Sequence, residues 1–369
     1  RRHTRSLVPS RGLGDVYKRQ RLQLERSLRL RGGISWKPAP DAPSTLYDAG
    51  GAQIGHLLYV VCGYQSIDAA SDDIFVFDMR LERWVDTIHT PAYLAHSHCA
   101  VASDGERFLY MASGQIGAQC GPATRTAYSY DTVEARWHQL PPVPHERYAS
   151  VMELWRGRLH FIGGAESDRW TPTASHWSLG VSDGVATETE WREETPIPVA
   201  GMHRASAIVG DRLFVLGGQQ GDFQAIPGDP NCMCTGATQE TYLDCCFRLD
   251  DPGAAWRRIA DMPVAASHCD FAAVVSGDRI MLLGGQVYKD PEDFYLRLSD
   301  AIQSYSVQDN RWEVVGHLPY RLKIPVVGCW DERLFVTTGQ RGKGNGDMPA
   351  EITASTWTAS LPAAPARNL

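Results

Sequence analysis

Residues 212–223 read RLFVLGGQQGDF. A short apolar run ends in paired glycines and then turns polar. Read alone, this is a strand that feeds either a phosphate-cradling glycine loop or the next unit of a repeat. The rest of the chain decides between the two. LHFIGG starts at 159, IMLLGG at 280, LYVVCG at 58, LYMASG at 109 and LFVTTG at 334. Several follow a turn such as VGDR, SGDR or WDER, itself preceded by an apolar run, which is the pattern of a β-hairpin. No helical pattern follows any copy, so the phosphate-loop reading fails.

A second signal runs in step with the first. Trp36, Trp84, Trp137, Trp191, Trp256 and Trp312 are each followed seven residues later by proline: Pro43, Pro91, Pro144, Pro198, Pro263 and Pro319. The tryptophan intervals are 48, 53, 54, 65 and 56 residues, near the roughly 50-residue period of kelch blades. Each unit supplies four short strands, with glycine after the second and Trp opening the fourth. Glycine permits backbone angles that other residues avoid, Trp gives a large plate between neighbouring sheets, and proline ends an outer strand where no ladder donor is needed. The expectation is an all-β, six-bladed kelch β-propeller. The last repeat, PVVGCWDERLFVTTG with ASTWTASLP, lacks a Trp-x6-Pro unit, whereas WKPAPDAP near the N-terminus lacks preceding strands. The N-terminal segment is therefore expected to supply the outer strand of the sixth blade. The fourth blade carries an extra loop within GQQGDFQAIPGDPNCMCTGATQETYLD.

The 369 residues are 43% hydrophobic and 21% charged, with a formal net charge of −7. This is ordinary globular composition, and no stretch reaches the roughly 18 apolar residues of a membrane span. Mild acidity argues against nucleic acid as a partner. The opening RRHTRSLVPSRGLGDVYKRQ is basic, lacks the apolar core of a signal peptide, and in part resembles linker sequence. Residues 1–33 are accordingly set aside as non-native or disordered, 34–362 as the propeller and 363–369 as a tail. A membrane anchor is expected only if a different N-terminus precedes the repeats. Nine cysteines are too few for a disulfide scaffold, and the odd count leaves one unpaired in a single chain. A monomer is expected.

The strings SGQIGAQCGPAT, ERYASVMELWRGRLHFIGG, HWSLGVSDG, EWREETPIP, GMHRASAIVGDRLFVLGGQQGDF and GHLPYRLK go beyond generic blade markers. Through them the chain, from about residue 45 to 345, resembles the plant kelch repeat-containing proteins. The resemblance implies a single six-bladed propeller and a Golgi or other secretory-pathway setting, the cytoplasm being the alternative. It implies no activity.

In such a blade the linker to the next blade and the loop between strands two and three emerge on one face. Five residues past each repeat proline stand Asp48, His96, Ala149, His203, His268 and Ile324. Near them lie His98, His145, Arg147, Arg204, Arg321 and Lys323, and just after the glycines come Gln115, Gln219, Gln286 and Gln340. Amide, imidazole and cationic donors of this kind suit sugars, sugar acids or an acidic peptide. The competing role is internal, as ties between blades. His96, His203 and His268 come from separate blades without metal-ligand spacing, and His96-x-His98 stands alone, so no metal and no cofactor is expected. Galactose oxidase, a copper enzyme on kelch blades, completes its site with a further C-terminal domain, and that chemistry is not expected here. Cys232, Cys234, Cys245 and Cys246 lack zinc-knuckle spacing. One of them is expected to pin the long loop to Cys120, with free thiols as the alternative.

The favoured expectation is a propeller that binds a glycan or protein partner through the loop face. The alternative is a sugar isomerase similar to bacterial N-acetylneuraminate epimerase, with Glu153, Arg147, His203 and His268 as acid/base candidates. A metal-dependent enzyme is the third reading.

Overall fold

The hairpin that carries the opening stretch pairs Ala205–Val209 with Arg212–Leu216, Val209 opposite Arg212. Its two-residue turn, Gly210 and Asp211, has φ of 53° and 58°. Two positive φ values in succession are what a type I′ turn needs to match the twist of the strands it joins. The structure is a computed structural model that describes residues 34–66, 68–225, 234–235, 239–290, 295–342 and 351–361. Segments 1–33 and 363–369 lie outside the described residues.

The hairpin is extended outward by Cys246–Leu249 and Arg257–Ile259 into a four-stranded antiparallel sheet. The same plan recurs. Sheet one is Gly50–Ile54, Leu57–Val61, Asp73–Asp78 and Arg83–His89, and sheet two is Ala100–Ser103, Phe108–Ala112, Ala127–Asp131 and Arg136–Gln139. Sheet three is Val151–Trp155, Arg158–Ile162, His176–Ser182 and Arg192–Glu193, with Val185–Ala186 added to the end of its third strand. The opening hairpin belongs to sheet four. Sheet five is Ala273–Ser276, Arg279–Leu283, Ala301–Ser306 and Arg311–His317. Sheet six is Val326–Trp330, Arg333–Thr337 and Thr356–Ser360, and its outer strand is Lys37–Ala39 from the N-terminal side. The chain is therefore all-β and β-propeller-like. The one helical turn among the described residues is Ala92–Leu94.

Apolar side chains fill the space between consecutive sheets. Phe214, Leu282, Ile280 and Tyr305 pack sheet four on five. Phe161, Leu179, Tyr110 and Trp191 pack two on three. Phe77, Leu58, Val326 and Phe335 pack sheet one on sheet six. The repeat tryptophans add a polar stitch to this packing. The indole N–H groups of Trp36, Trp84, Trp191, Trp256 and Trp312 donate to the carbonyls of His317, Pro40, Pro141, Thr195 and Ala260. Each acceptor lies near the end of the preceding sheet's outer strand, so one residue supplies both apolar area and register.

The paired glycines answer to close approach. Gly218 has φ of 101°, and a Cβ there would stand 2.6 Å from the Met202 carbonyl and 2.4 Å from Arg204 Cγ. Only glycine fits.

Candidate functional site

The linkers converge on a set of six residues with left-handed backbone. Asp48, His98, Ala149, His203, His268 and Ile324 have φ of 52°, 53°, 51°, 51°, 53° and 50°. His98 N–H donates to the Asp48 carbonyl, Ala149 to His98, and His203 to Ala149, at 3.0, 3.3 and 3.1 Å. Ile324 N–H donates to the His268 carbonyl at 2.8 Å. A β-branched residue such as Ile324 rarely adopts this conformation, and the backbone bond helps to hold it. The arcs surround a gap of only about 10 Å³, lined by Asp48, His98, His203, Asp270, Phe271 and Ile324 among others. One position corrects the expectation. The turn at Ala92–Leu94 lengthens the linker by two residues, so His98 takes the place expected for His96. His96 instead lies in a two-stranded pair with Gln115–Ile116, with Nε2 3.1 Å from Thr124 Oγ1.

Above these residues the loops fold inward over a buried polar network. Tyr148 OH donates to Asp222 Oδ2 at 2.8 Å and receives a bond from Arg169, whose other branch donates to Gln115 Oε1 at 2.9 Å. His98 Nε2 lies 2.8 Å from Tyr148 OH and 3.2 Å from Asp48 Oδ2, and its Nδ1 lies 2.9 Å from Ser97 Oγ. With the tyrosine hydroxyl given to Asp222, the imidazole proton belongs on Nε2 and Nδ1 accepts. His203 Nδ1 meets Asp270 at 3.1 Å and Nε2 meets Asp222 at 3.5 Å. The His203 and His268 rings stack at 3.8 Å. A second knot joins Lys289 to Glu240 at 2.7 Å, with Tyr242 OH and Gln286 Nε2 also donating to Glu240 and Lys323 reaching Gln286 at 3.4 Å.

Charge explains the arrangement. Burial opposes a charge on His203, yet Asp270 and Asp222 outweigh it and push its pKa up to about 9. Burial, with His203 and Lys323 nearby, holds His268 well below the usual imidazole range. A charged imidazole thus lies on a neutral one. Burial would raise Asp222, but Arg169 and His203 hold it well below the usual carboxylate range. Arg169 and His203 meet Asp222, His203 meets Asp270 and Lys289 meets Glu240, while Asp48 bonds His98 and feels Lys323 through space. Buried charges persist when compensated in this way.

His203, Asp222 and His268 bring one ligand atom each within 4.8 Å of one another. Stacked imidazoles aim their lone pairs in parallel rather than at one point, His203 is protonated, and Arg169 shares Asp222. The donors suit an internal salt network better than a cation.

The remaining expected ligand contacts also have partners within the protein. Gln219 Oε1 accepts from Ser267 Oγ at 2.5 Å and its amide donates to Gly221 O. Arg204, 1% exposed, donates to Val199 O. Arg147 donates to Glu146 O, pairs with Glu166 at 3.2 Å and lies over Trp177. Gln340 is tied into a short strand pair with Lys323. Tyr148, Arg169, Asp222, Glu240, Asp270 and Lys289 were not foreseen. The signal for two of them is adjacency: Asp222 follows Gln219 by three positions and Asp270 follows His268 by two. Cys120 is disulfide-bonded. Cys245 and Cys246 carry free thiols, which removes them from the expected pairing. Cys232 and the Cys234 side chain lie outside the described residues.

Below the arcs the inner strands line a cavity of about 340 Å³. Its polar side chains are Gln53, Ser103, Ser150, Glu153, Ser206 and Asp270, and Phe271, Val275 and Val327 supply apolar wall. Of the four acid/base candidates, only Glu153 lines it. Opposite one recurring position of the second strand, the inner strands carry Ala52, Ala102, Glu153, Ala207, Val274 and Gly328. Five are small or apolar, and one is a carboxyl. The partners across the ladder are Tyr59, Tyr110, His160, Phe214, Met281 and Phe335, so the third sheet departs from the pattern twice. Ser206 Oγ donates to Glu153 at 2.7 Å. Burial nevertheless pushes the Glu153 pKa up to about 7, where a carboxyl can both give and take a proton.

Comparison with known proteins agrees with this architecture. Residues 49–285 match the family described as the KLHDC2/KLHL20/DRC7 Kelch-repeats domain. The chain is 36% identical over 329 residues to Kelch repeat-containing protein At3g27220 of Arabidopsis thaliana, across 89% of this chain and 76% of that protein. It is 23% identical to Kelch-like protein 25 of Xenopus tropicalis across 79% of this chain, and spans 45% of that longer relative. A solved structure titled "Structure of YjhT" superposes with a TM-score of 0.65 at 16% identity, covering 86% of this chain and 95% of that one. The chain belongs to the kelch-repeat family, whose domains are ligand- and protein-binding propellers.

Proposed function

We propose that the six sheets are the blades of one ring, clasped by the N-terminal strand, and that the ring binds a small hydroxyl-bearing ligand, of which a sugar is the fitting class, in its central channel. Support for the ring comes from the packing of sheet one on sheet six and from Trp84 donating to Pro40 at the end of the N-terminal strand. The observation that carries the ligand reading is the cavity of about 340 Å³, whose lining combines serines, an amide and carboxyls with apolar side chains. The inner strands are the edge strands of their sheets; Gln53 covers the edge at Cys329 and Val327 N–H donates to Phe271 O, and the remaining edge groups are a supply of donors and acceptors for hydroxyls.

Glu153 favours a second reading within the same channel, acid/base isomerisation of the bound sugar. Ligand-observed NMR with a panel of neutral sugars tests the binding. Val275 is 38% exposed and lines the channel, so Val275→Trp is expected to abolish binding while the fold persists. Binding that survives this obstruction sinks the channel reading. Exchange spectroscopy on a bound sugar decides the second reading: anomer exchange no faster than in buffer rules it out.

A further inference from the structure

The channel's lining has a charge bias that narrows the ligand class further, given the channel reading above. Two of its lining residues are acidic, Glu153 and Asp270, and none is Lys, Arg or His. Asp270 has its counter-ion in His203, 3.1 Å away. Among the described residues Glu153 has only the Ser206 hydroxyl as a partner. The imidazole across the ladder from it, His160, belongs to a buried pair with His176 at 2.9 Å. Burial and His176 hold His160 neutral, with a pKa of about 3, so it offers Glu153 no cation. The carboxyl also breaks a position that is Ala, Val or Gly in the other five sheets, so the repeat's own packing does not call for it.

A half-buried carboxylate without a counter-ion is costly, and a ligand that brings a cation relieves the cost. We propose that the channel selects small hydroxylated amines, an amino sugar being the fitting class, with Glu153 as counter-ion, and that it rejects sugars bearing a carboxylate. The ammonium makes a charge-assisted hydrogen bond to Glu153. The Ser103 and Ser150 hydroxyls give their protons to Gln53 O and Gly163 O, so their oxygens accept from the ligand's hydroxyls, and its C–H face meets Phe271, Val275 and Val327. A sugar acid would bring its charge to two carboxyls with no cation in the lining. The net charge of −7 adds a weaker bias of the same sign.

Calorimetric titration of the whole chain at pH 7 with glucosamine, glucose and glucuronate tests this, with Glu153→Gln in parallel and each protein's fold checked by its melt. Glucosamine is expected to bind about tenfold more tightly than glucose, as charge-assisted bonds are stronger than neutral ones. Glucuronate is expected to bind most weakly, and Glu153→Gln to collapse the ratio of glucosamine to glucose. Equal affinities in the native protein, or tightest binding by glucuronate, would overturn the charge selection and leave the channel reading standing. No binding by any of the three overturns the channel reading and the selection with it.

Discussion

Replacing Glu153 by Gln removes the channel's uncompensated carboxyl and keeps its shape. Gln still accepts the Ser206 hydroxyl, so the change isolates ionisation. A carboxyl that ordinarily titrates near 4.5 titrates at about 7 in the folded protein. The folded state therefore prefers the protonated form. Its stabilising effect is complete at and below about pH 4.5 and is lost as pH rises to 7. Full ionisation then costs the native protein at most about 3 kcal/mol. Contact with channel water reduces this to about 1–2 kcal/mol. At roughly 2 °C per kcal/mol in a domain of this size, Glu153→Gln should melt a few degrees above the native protein at pH 8. At pH 5 the two should nearly coincide. Other titrating groups are common to both proteins and cancel in the difference. Thermal melts by circular dichroism from pH 5 to 8 provide the measurement. A difference independent of pH would refute the reasoning, because it would place the effect of the substitution in packing rather than charge.

Asp222→Asn leaves Arg169 and His203 without their shared carboxylate. It should destabilise the fold by about 3–5 kcal/mol, as breaking a buried pair does, and lower the His203 pKa in imidazole NMR; an unchanged pKa would contradict the network. His203, raised to about 9, contributes stability that is complete below about 6.5 and lost as pH rises through 9. The native protein should therefore soften between those values more than His203→Gln does. Gly218→Ala should cost several times what Gly210→Ala costs, since nothing lies within 4 Å of a Cβ at Gly210. Chemical denaturation compares the two, and similar losses would contradict the close approach. Removing residues 34–40 deletes the strand paired with Thr356–Ser360. It should lower the melting temperature sharply and open sheet six to proteolysis, whereas an unaltered melt would refute the clasp.

The fold was legible because its markers are local. A hairpin turn, a glycine pair and a tryptophan followed by a proline can each be read within ten residues, and repetition makes the pattern unmistakable. The pairing of the N-terminal strand with sheet six was legible for the same reason, as a count of strands that did not balance within the last repeat. The linker positions were also legible, apart from the two-residue slip at His96, where one helical turn displaced the register. The direction in which the polar residues face was not. Asp222, Arg169 and Tyr148 lie far apart in the chain, and nothing local says that a glutamine after a glycine pair will bond Ser267 rather than a ligand. Whether a histidine is solvent-facing or charged and buried depends on carboxylates delivered by other repeats. Gln219 and Gln220, which open the longest loop, illustrate both halves: the first closes the interior, and the second donates to Ala200 O at 3.0 Å.

A repeat protein discloses its exceptions when its own copies are laid over one another. Five inner strands begin two residues past a left-handed residue and that of sheet five begins five past it, and all six pair in the same register with the same motif on the neighbouring strand, so the ladder defines equivalent positions. Packing between adjacent sheets asks for a small or apolar side chain at the position of Ala52, Ala102, Ala207, Val274 and Gly328. Glu153 answers with a carboxyl that burial penalises, and His160 replaces the bulky apolar partner with an imidazole held neutral. Neither substitution improves the blade. The buried network above the channel supplies cations to Asp222, Asp270 and Glu240 from its own residues. The carboxyl below it is left without a counter-ion beside a cavity large enough to admit one. The unsatisfied charge and the open volume coincide, and the proposal of a ligand in the channel rests on that coincidence.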